Sequence, residues 1–116
     1  MELNWVKIAE SAAELPWGEN GLLELVVEEK HICLIRKGDS ISGCAAKCPH
    51  AGAKMADGYV DALGNLVCPL HKYRFCTNKG RNVSGEGYFL KIYRVEVRED
   101  GVYVDLSSIK TSNWLK

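Results

Sequence analysis

Apolar residues in this chain come in short runs broken by glycine, asparagine and charged pairs, and none of the runs keeps a helical period. Leu22 to Glu28 and His31 to Arg36 are rich in aliphatic and β-branched residues, and Glu29-Lys30 between them predicts a hairpin. Lys37-Gly38-Asp39 then turns the chain into a third run, Ser40 to Lys47, whose end delivers Cys48. A second turn, Asp61 to Asn65, feeds the short run Leu66-Val67 that delivers Cys68. Tyr73 to Cys76 reads as the returning strand, closed by Thr77-Asn78-Lys79-Gly80. Farther on, Leu90 to Arg98 and Val102 to Leu106 flank Glu99-Asp100-Gly101, where Asp-Gly ahead of an alternating run is a hairpin signal. Leu90 and Ile92 share one parity while Tyr93, Val95 and Val97 share the other, so a β-bulge is expected near Ile92. Trp5 to Glu10 is one more strand, and Ser11 to Asn20, with Pro16 and Gly18, a loop. The expectation is an all-β fold of short antiparallel strands, a small barrel or sandwich. A subdomain over about 43–76 would display two loops at one end.

Length and composition bound the reading further. A chain of 116 residues is expected to form one domain over 1–116, with no room for a second catalytic module. No apolar stretch approaches the roughly 18 residues of a membrane helix. Met1 to Lys7 lacks the basic and apolar regions of a signal peptide, so a cytoplasmic protein off the membrane is expected. Of the five cysteines, Cys33, Cys44 and Cys76 fall outside the two loops. That odd number does not make a disulfide framework and suits a reducing compartment.

Formal net charge is zero, but its distribution is uneven. Residues 1–46 carry eight acids against four bases, whereas 47–81 carry only Asp57 and Asp61 against Lys47, Lys54, Lys72, Arg74, Lys79 and Arg81. Two readings stand open: an ordinary solvated face, and a positive collar around the loops that steers an acidic partner. A pI near 6.8 and the lack of a basic stripe interleaved with aromatics argue against nucleic acid.

The chemistry lies in Cys48-Pro49-His50 and, seventeen residues on, Cys68-Pro69-Leu70-His71. Each loop pairs a soft thiolate with a neutral imidazole, and four such donors hold a metal. Tetrahedral zinc is one solution, although Cys-x-His sets its donors closer than the usual structural zinc spacing. A 2Fe-2S cluster in which two histidines replace two cysteines is the other. Cys-x-His followed by Cys-x-x-His in this order resembles the ligand set of Rieske proteins, and the likeness to soluble Rieske-type ferredoxins covers nearly the whole chain, most densely over 43–76. It implies that Cys48 and Cys68 bind the inner iron and His50 and His71 the outer one. Replacing two thiolates by neutral imidazoles removes negative charge and raises the potential relative to a four-cysteine ferredoxin.

Departures from the high-potential members of that family carry information. There each loop contributes one more cysteine to a clamping disulfide; the matching positions here are Ala53 and Leu70. Those members also place hydroxyl donors two and four residues past the second histidine, where this chain has Tyr73 and Phe75. A potential at the low end of the Rieske range, near about −150 mV, is therefore expected. The proline-containing third loop of the family has its counterpart in Gly85-Glu86-Gly87, without a proline.

No substrate pocket, nucleophile pair or phosphate loop is legible, so an electron carrier rather than an enzyme is expected. The resemblance implies one-electron transfer between a flavin-dependent reductase and a terminal oxygenase that docks through an acidic surface. Two alternatives stay open: a small subunit of a nitrite-reductase-type enzyme, and a zinc-stabilised interaction module. Cys33 and Cys44 are expected to be small buried hydrophobes, Cys76 to pack in the core, and His31 to lie at the surface. Trp5, Trp17 and Trp114 are expected in core or edge packing.

Overall fold

A computed structural model describes residues 3–49, 52–70 and 72–107. The strands are β1 (Trp5–Ala9), β2 (Leu22–Val27), β3 (Lys30–Lys37), β4 (Ser40–Ala45), β5 (Tyr59–Val60), β6 (Asn65–Val67), β7 (Arg74–Cys76), β8 (Ile92–Arg98) and β9 (Gly101–Asp105). Six form one antiparallel sheet in the order β1-β9-β8-β4-β3-β2, curled into a half-barrel, and β5-β6-β7 form a smaller antiparallel sheet. The expected all-β architecture is thus present. Among the described residues no helix is long and apolar enough to cross a membrane.

β3 shows how one short chain supports two sheets. Ile32, Cys33, Leu34 and Ile35 are all fully buried, so the strand reads as a continuous apolar run, as strands covered on both faces do. Its two parities feed two cores. Ile32 and Leu34 pack with Ile41, Tyr93, Val102 and Val104. Cys33 and Ile35 pack with Cys44, Met55, Leu66 and Phe75, and this second core also holds Cys48 and Cys68.

The same division accounts for the parity change around Ile92. Leu90 and Ile92 face the second core while Tyr93 and Val95 face the first, and β8 pairs with β4 through Gly43 with Tyr93 and Cys44 with Ile92. No bulge is needed there; the register shift falls instead between Lys7 and Ala9 on β1. The β2–β3 turn sits one residue earlier than expected, at Glu28-Glu29, both with positive φ (50° and 73°) as a two-residue hairpin turn requires. β5 and two single 3₁₀ turns, Ala12–Glu14 and Met55–Asp57, were not legible in the pattern because they are too short for any period to show. Trp5 and Trp17 are half-buried, the Trp17 indole N–H donating to the Ala12 carbonyl at 3.0 Å; Trp114 lies outside the described residues.

Two side chains tie the large sheet to the region of the small one. The Asn20 amide donates to the carbonyls of Ala56 (2.9 Å) and Gly58 (3.0 Å), beside the second 3₁₀ turn. The Lys37 ammonium, at the end of β3, donates to Thr77 Oγ1 (2.7 Å) and the Gly64 carbonyl (3.2 Å). Close backbone approach completes the join. At Gly80 (φ 75°) a Cβ would stand 1.8 Å from the Leu90 carbonyl oxygen, whereas at Gly38 (φ 60°) it would meet nothing within 4 Å. Gly80→Ala is therefore expected to cost well over about 2 kcal/mol, backbone clash adding to conformational strain, and Gly38→Ala only about 1 kcal/mol of strain. Urea denaturation of the two variants measures the difference.

Candidate metal centre

The two motif loops are built on one plan. Cys48 N–H donates to the Ala53 carbonyl at 2.8 Å, and Cys68 N–H donates to the Tyr73 carbonyl at 2.8 Å. Each cysteine thus opens a six-residue loop, 48–53 or 68–73, whose second residue is proline. The fifth residue of each takes the left-handed backbone that reverses the chain: Gly52 at φ 73° and Lys72 at φ 61°. Glycine adopts that region freely, while a residue with a Cβ gives up about 1–2 kcal/mol there. β6 and β7 flank the second loop, and a bridge between Lys47 and Lys54 closes the first.

This closure brings two sulfurs together. Cys48 is 2% and Cys68 0% exposed, and their thiols are close enough to hydrogen-bond to each other. Leu70 N–H points at Cys68 Sγ across 3.4 Å. Burial pushes the Cys68 thiol pKa up; the Leu70 N–H opposes that shift and the neighbouring Cys48 thiol adds to it. Two adjacent buried sulfurs offer a pair of soft donors, and a cation that displaces their protons would take both as thiolates, so the pair fits a group that takes two thiolates. His50 and His71 lie outside the described residues.

The surroundings are specific. Phe75 is fully buried in the same core as both thiols, and Tyr73 is half-buried with its ring 5.8 Å from that of Tyr88. Burial raises the Tyr73 phenol pKa, and Tyr88, Glu86 and the two thiols raise it further. Tyr88 belongs to the third loop, which is organised without proline by the side chain of Asn82. Its amide donates to the Arg74 carbonyl (3.0 Å) and Glu86 Oε1 (2.9 Å), and its oxygen accepts from the amides of Glu86 and Gly87. Asn82 and Tyr88 were missed in the sequence; the only signal was an asparagine ahead of a Ser-Gly-Glu-Gly stretch, a local turn former.

The structure divides the six bases of 47–81. Lys47 and Lys54 are exposed where they flank the first motif loop, and Lys72 is exposed on the second. Arg74 is paired with Asp61 at 3.4 Å; Lys79 lies in the turn after β7, and Arg81 returns beside the last residue of that strand, its carbonyl accepting from the Cys76 N–H at 2.8 Å. Asp61 is held below the usual carboxylate range, chiefly by the Asn65 N–H. Cys76 is half-exposed, against expectation, because β7 ends there and its side chain opens onto a cavity of about 420 Å³ beside Lys79 and Arg81. Cys33 and Cys44 are buried as expected, directly opposite each other on β3 and β4; the hydrogen bond that the Cys44 thiol donates to the Cys33 sulfur, then burial, holds the Cys44 pKa well up. His31 is exposed, 3.6 Å from Glu24.

Residues 4–88 match the model of the Rieske [2Fe-2S] domain. The chain belongs to this family. It is 30% identical, over 92% of its own length and 100% of the relative's, to the ferredoxin component of the naphthalene 1,2-dioxygenase system of Pseudomonas putida. Among solved structures it resembles one described as a complex of reduced oxygenase and oxidised ferredoxin in carbazole 1,9a-dioxygenase, with a TM-score of 0.75 at 25% identity, over 91% of this chain and 96% of that one. A protein assigned as an NADH-dependent nitrite reductase small subunit from Mycobacterium tuberculosis shares the fold, with a TM-score of 0.79 at 20% identity over 94% and 100% of the two chains.

The cofactor of a Rieske domain is a 2Fe-2S cluster, and the buried thiol pair fits its sulfur side. Phe75 brings an apolar ring into that core, and the resemblance to high-potential Rieske proteins implies a hydroxyl donor to sulfur at this position. Reduction adds negative charge, so donors favour it. If the donor's differential contribution is about 1 kcal/mol, part of the 1.5–3 kcal/mol of a hydrogen bond to a charged group, the shift is roughly 40 mV for one electron. Phe75→Tyr is therefore expected to raise the midpoint potential by about that amount, as read by protein-film voltammetry.

Proposed function

We propose that this chain carries single electrons on its cluster from a flavin-dependent reductase to a terminal oxygenase, with Cys48, His50, Cys68 and His71 as ligands. The observation that carries the reading is the meeting of the Cys48 and Cys68 thiols inside two loops of one design, each of which also holds a histidine in sequence. The bound cluster supplies one-electron redox chemistry. The chain buries the two sulfurs, donates the Leu70 N–H toward one of them, and leaves Pro49 and Leu70 exposed at the loop tips, where a partner can approach. This is the work of a carrier, not of an enzyme, and the naphthalene dioxygenase relative, a ferredoxin component, is matched over its whole length. The complex of oxygenase with ferredoxin supports an oxygenase as the acceptor.

We read 1–116 as a single Rieske-type domain with its cluster-binding subdomain over about 43–76; support comes from the core that the first motif loop shares with the β5-β6-β7 sheet. Cys33, Cys44 and Cys76, three thiols outside the ligand set and without a disulfide, support a cytoplasmic location. A nitrite-reductase-type small subunit is the competing role, supported by fold alone; co-purification with an oxygenase or with a nitrite reductase separates the two.

Anaerobically purified protein is expected to contain two irons and two acid-labile sulfides per chain, and His71→Ala to lose the native visible spectrum. Zinc in place of iron, or an unaltered spectrum in that variant, contradicts the ligand set.

Docking to an acidic partner surface is expected to depend on the loop lysines. Reduction by the partner reductase should slow as salt rises, since screening limits exposed charges to about 8 Å at physiological ionic strength. Lys54→Glu should slow it further, while Lys79→Glu, beyond the far end of β7, should change it little; stopped-flow absorbance measures both.

A further inference from the structure

The second motif loop departs from the first at one telling position. Where the first has Gly52, the second holds Lys72 in the same left-handed backbone, φ 61°. A strained residue persists only where its surroundings enforce it, and such residues gather at functional sites. Lys72 follows the proposed ligand His71 in sequence, and its side chain is exposed. Its Nζ stands 5.9 Å from the centre of the Tyr59 ring, which is 41% exposed, and Leu70, 42% exposed, lies two residues before it. The aromatic face locates the ammonium without neutralising it. Among the described residues no carboxylate pairs with Lys72, whereas Arg74, two residues on, is paired with Asp61.

We propose that Lys72 is the recognition residue for an electron partner that presents carboxylate charge to this end of the molecule, and that lysine is kept at a glycine position for its charge. The inference rests on the electron-carrier reading. It differs from a structural role in sign: a lysine serving the loop would stabilise it, whereas a lysine kept for recognition is held against the preference of the loop. The Tyr59 ring gives the cation one apolar side, where a charge pair with the partner is screened less than in open water.

The test uses the holoprotein and its variants Lys72→Gly, Lys72→Asn and Lys72→Arg. Dithionite-reduced protein is mixed with ferricyanide or with hexaamminecobalt(III), each of which takes up one electron as the protein loses one. Lys72→Gly and Lys72→Asn are expected to slow oxidation by ferricyanide about threefold at low ionic strength and to speed oxidation by the cobalt complex by a similar factor, with Lys72→Arg at the wild-type rates. A shift in potential moves both rates the same way, so only charge at the docking face moves them apart. Lys72→Gly is also expected to raise the melting temperature by about 2–5 °C. An unchanged ratio of the two rates in Lys72→Gly overturns the proposal, and so does a lowered melting temperature, which would mark the lysine as structural. Wild-type protein lacking iron or reversible one-electron chemistry would instead refute the carrier reading, before any variant is compared.

Discussion

Two backbone hydrogen bonds, Cys48 N–H to Ala53 and Cys68 N–H to Tyr73, close the loops on which the cluster end depends. Each is worth about 1 kcal/mol net, yet leaving a buried amide unpaired costs about 1–3 kcal/mol. Their main effect is geometric. With the cysteine amides committed to closing the loops, the sulfurs turn toward the shared core while the following prolines face solvent. The flanking elements then need only hold two like hairpins side by side. β3 supplies the wall behind them, sending Cys33 and Ile35 to the cluster side and Ile32 and Leu34 to the other core.

The join between the two sheets is polar as well as apolar. Asn20 and Lys37 reach across to backbone carbonyls near the small sheet, and Gly80 lets the chain after β7 lie against the Leu90 carbonyl. These contacts fix the loops relative to the large sheet without a disulfide between them; the positions that would carry one in high-potential relatives are Ala53 and Leu70. Leu70 gains a different use. Its N–H reaches Cys68 Sγ, and its side chain lies exposed where a partner would meet the loop.

Much of this was legible in the sequence, for definite reasons. The thiol pair was readable because Cys-x-His and Cys-x-x-His are chemical signals that do not depend on periodicity. The main strands were readable because β-branched runs end at glycine and charged turns. What failed was whatever depends on which core a residue faces. The parity change at Ile92 signalled a bulge only on the assumption of a single core, and Cys76 was expected inside because nothing local shows that β7 stops there. β5 has two residues, and the Asn82 network is a matter of side-chain geometry rather than pattern. The basic run also looked more uniform in sequence than in space, where Asp61 pairs with Arg74 and the turn after β7 holds Lys79 at the end of that strand away from the second motif loop.

The central claim is that one cluster takes sulfur from Cys48 and Cys68 and nitrogen from His50 and His71. Pulsed EPR of the dithionite-reduced protein tests it most directly, because it reads nuclei bonded to the iron. Two strongly coupled nitrogens that change from ¹⁴N to ¹⁵N signals when only histidine is isotopically labelled are predicted. A reduced cluster with no histidine nitrogen coupling would contradict the account.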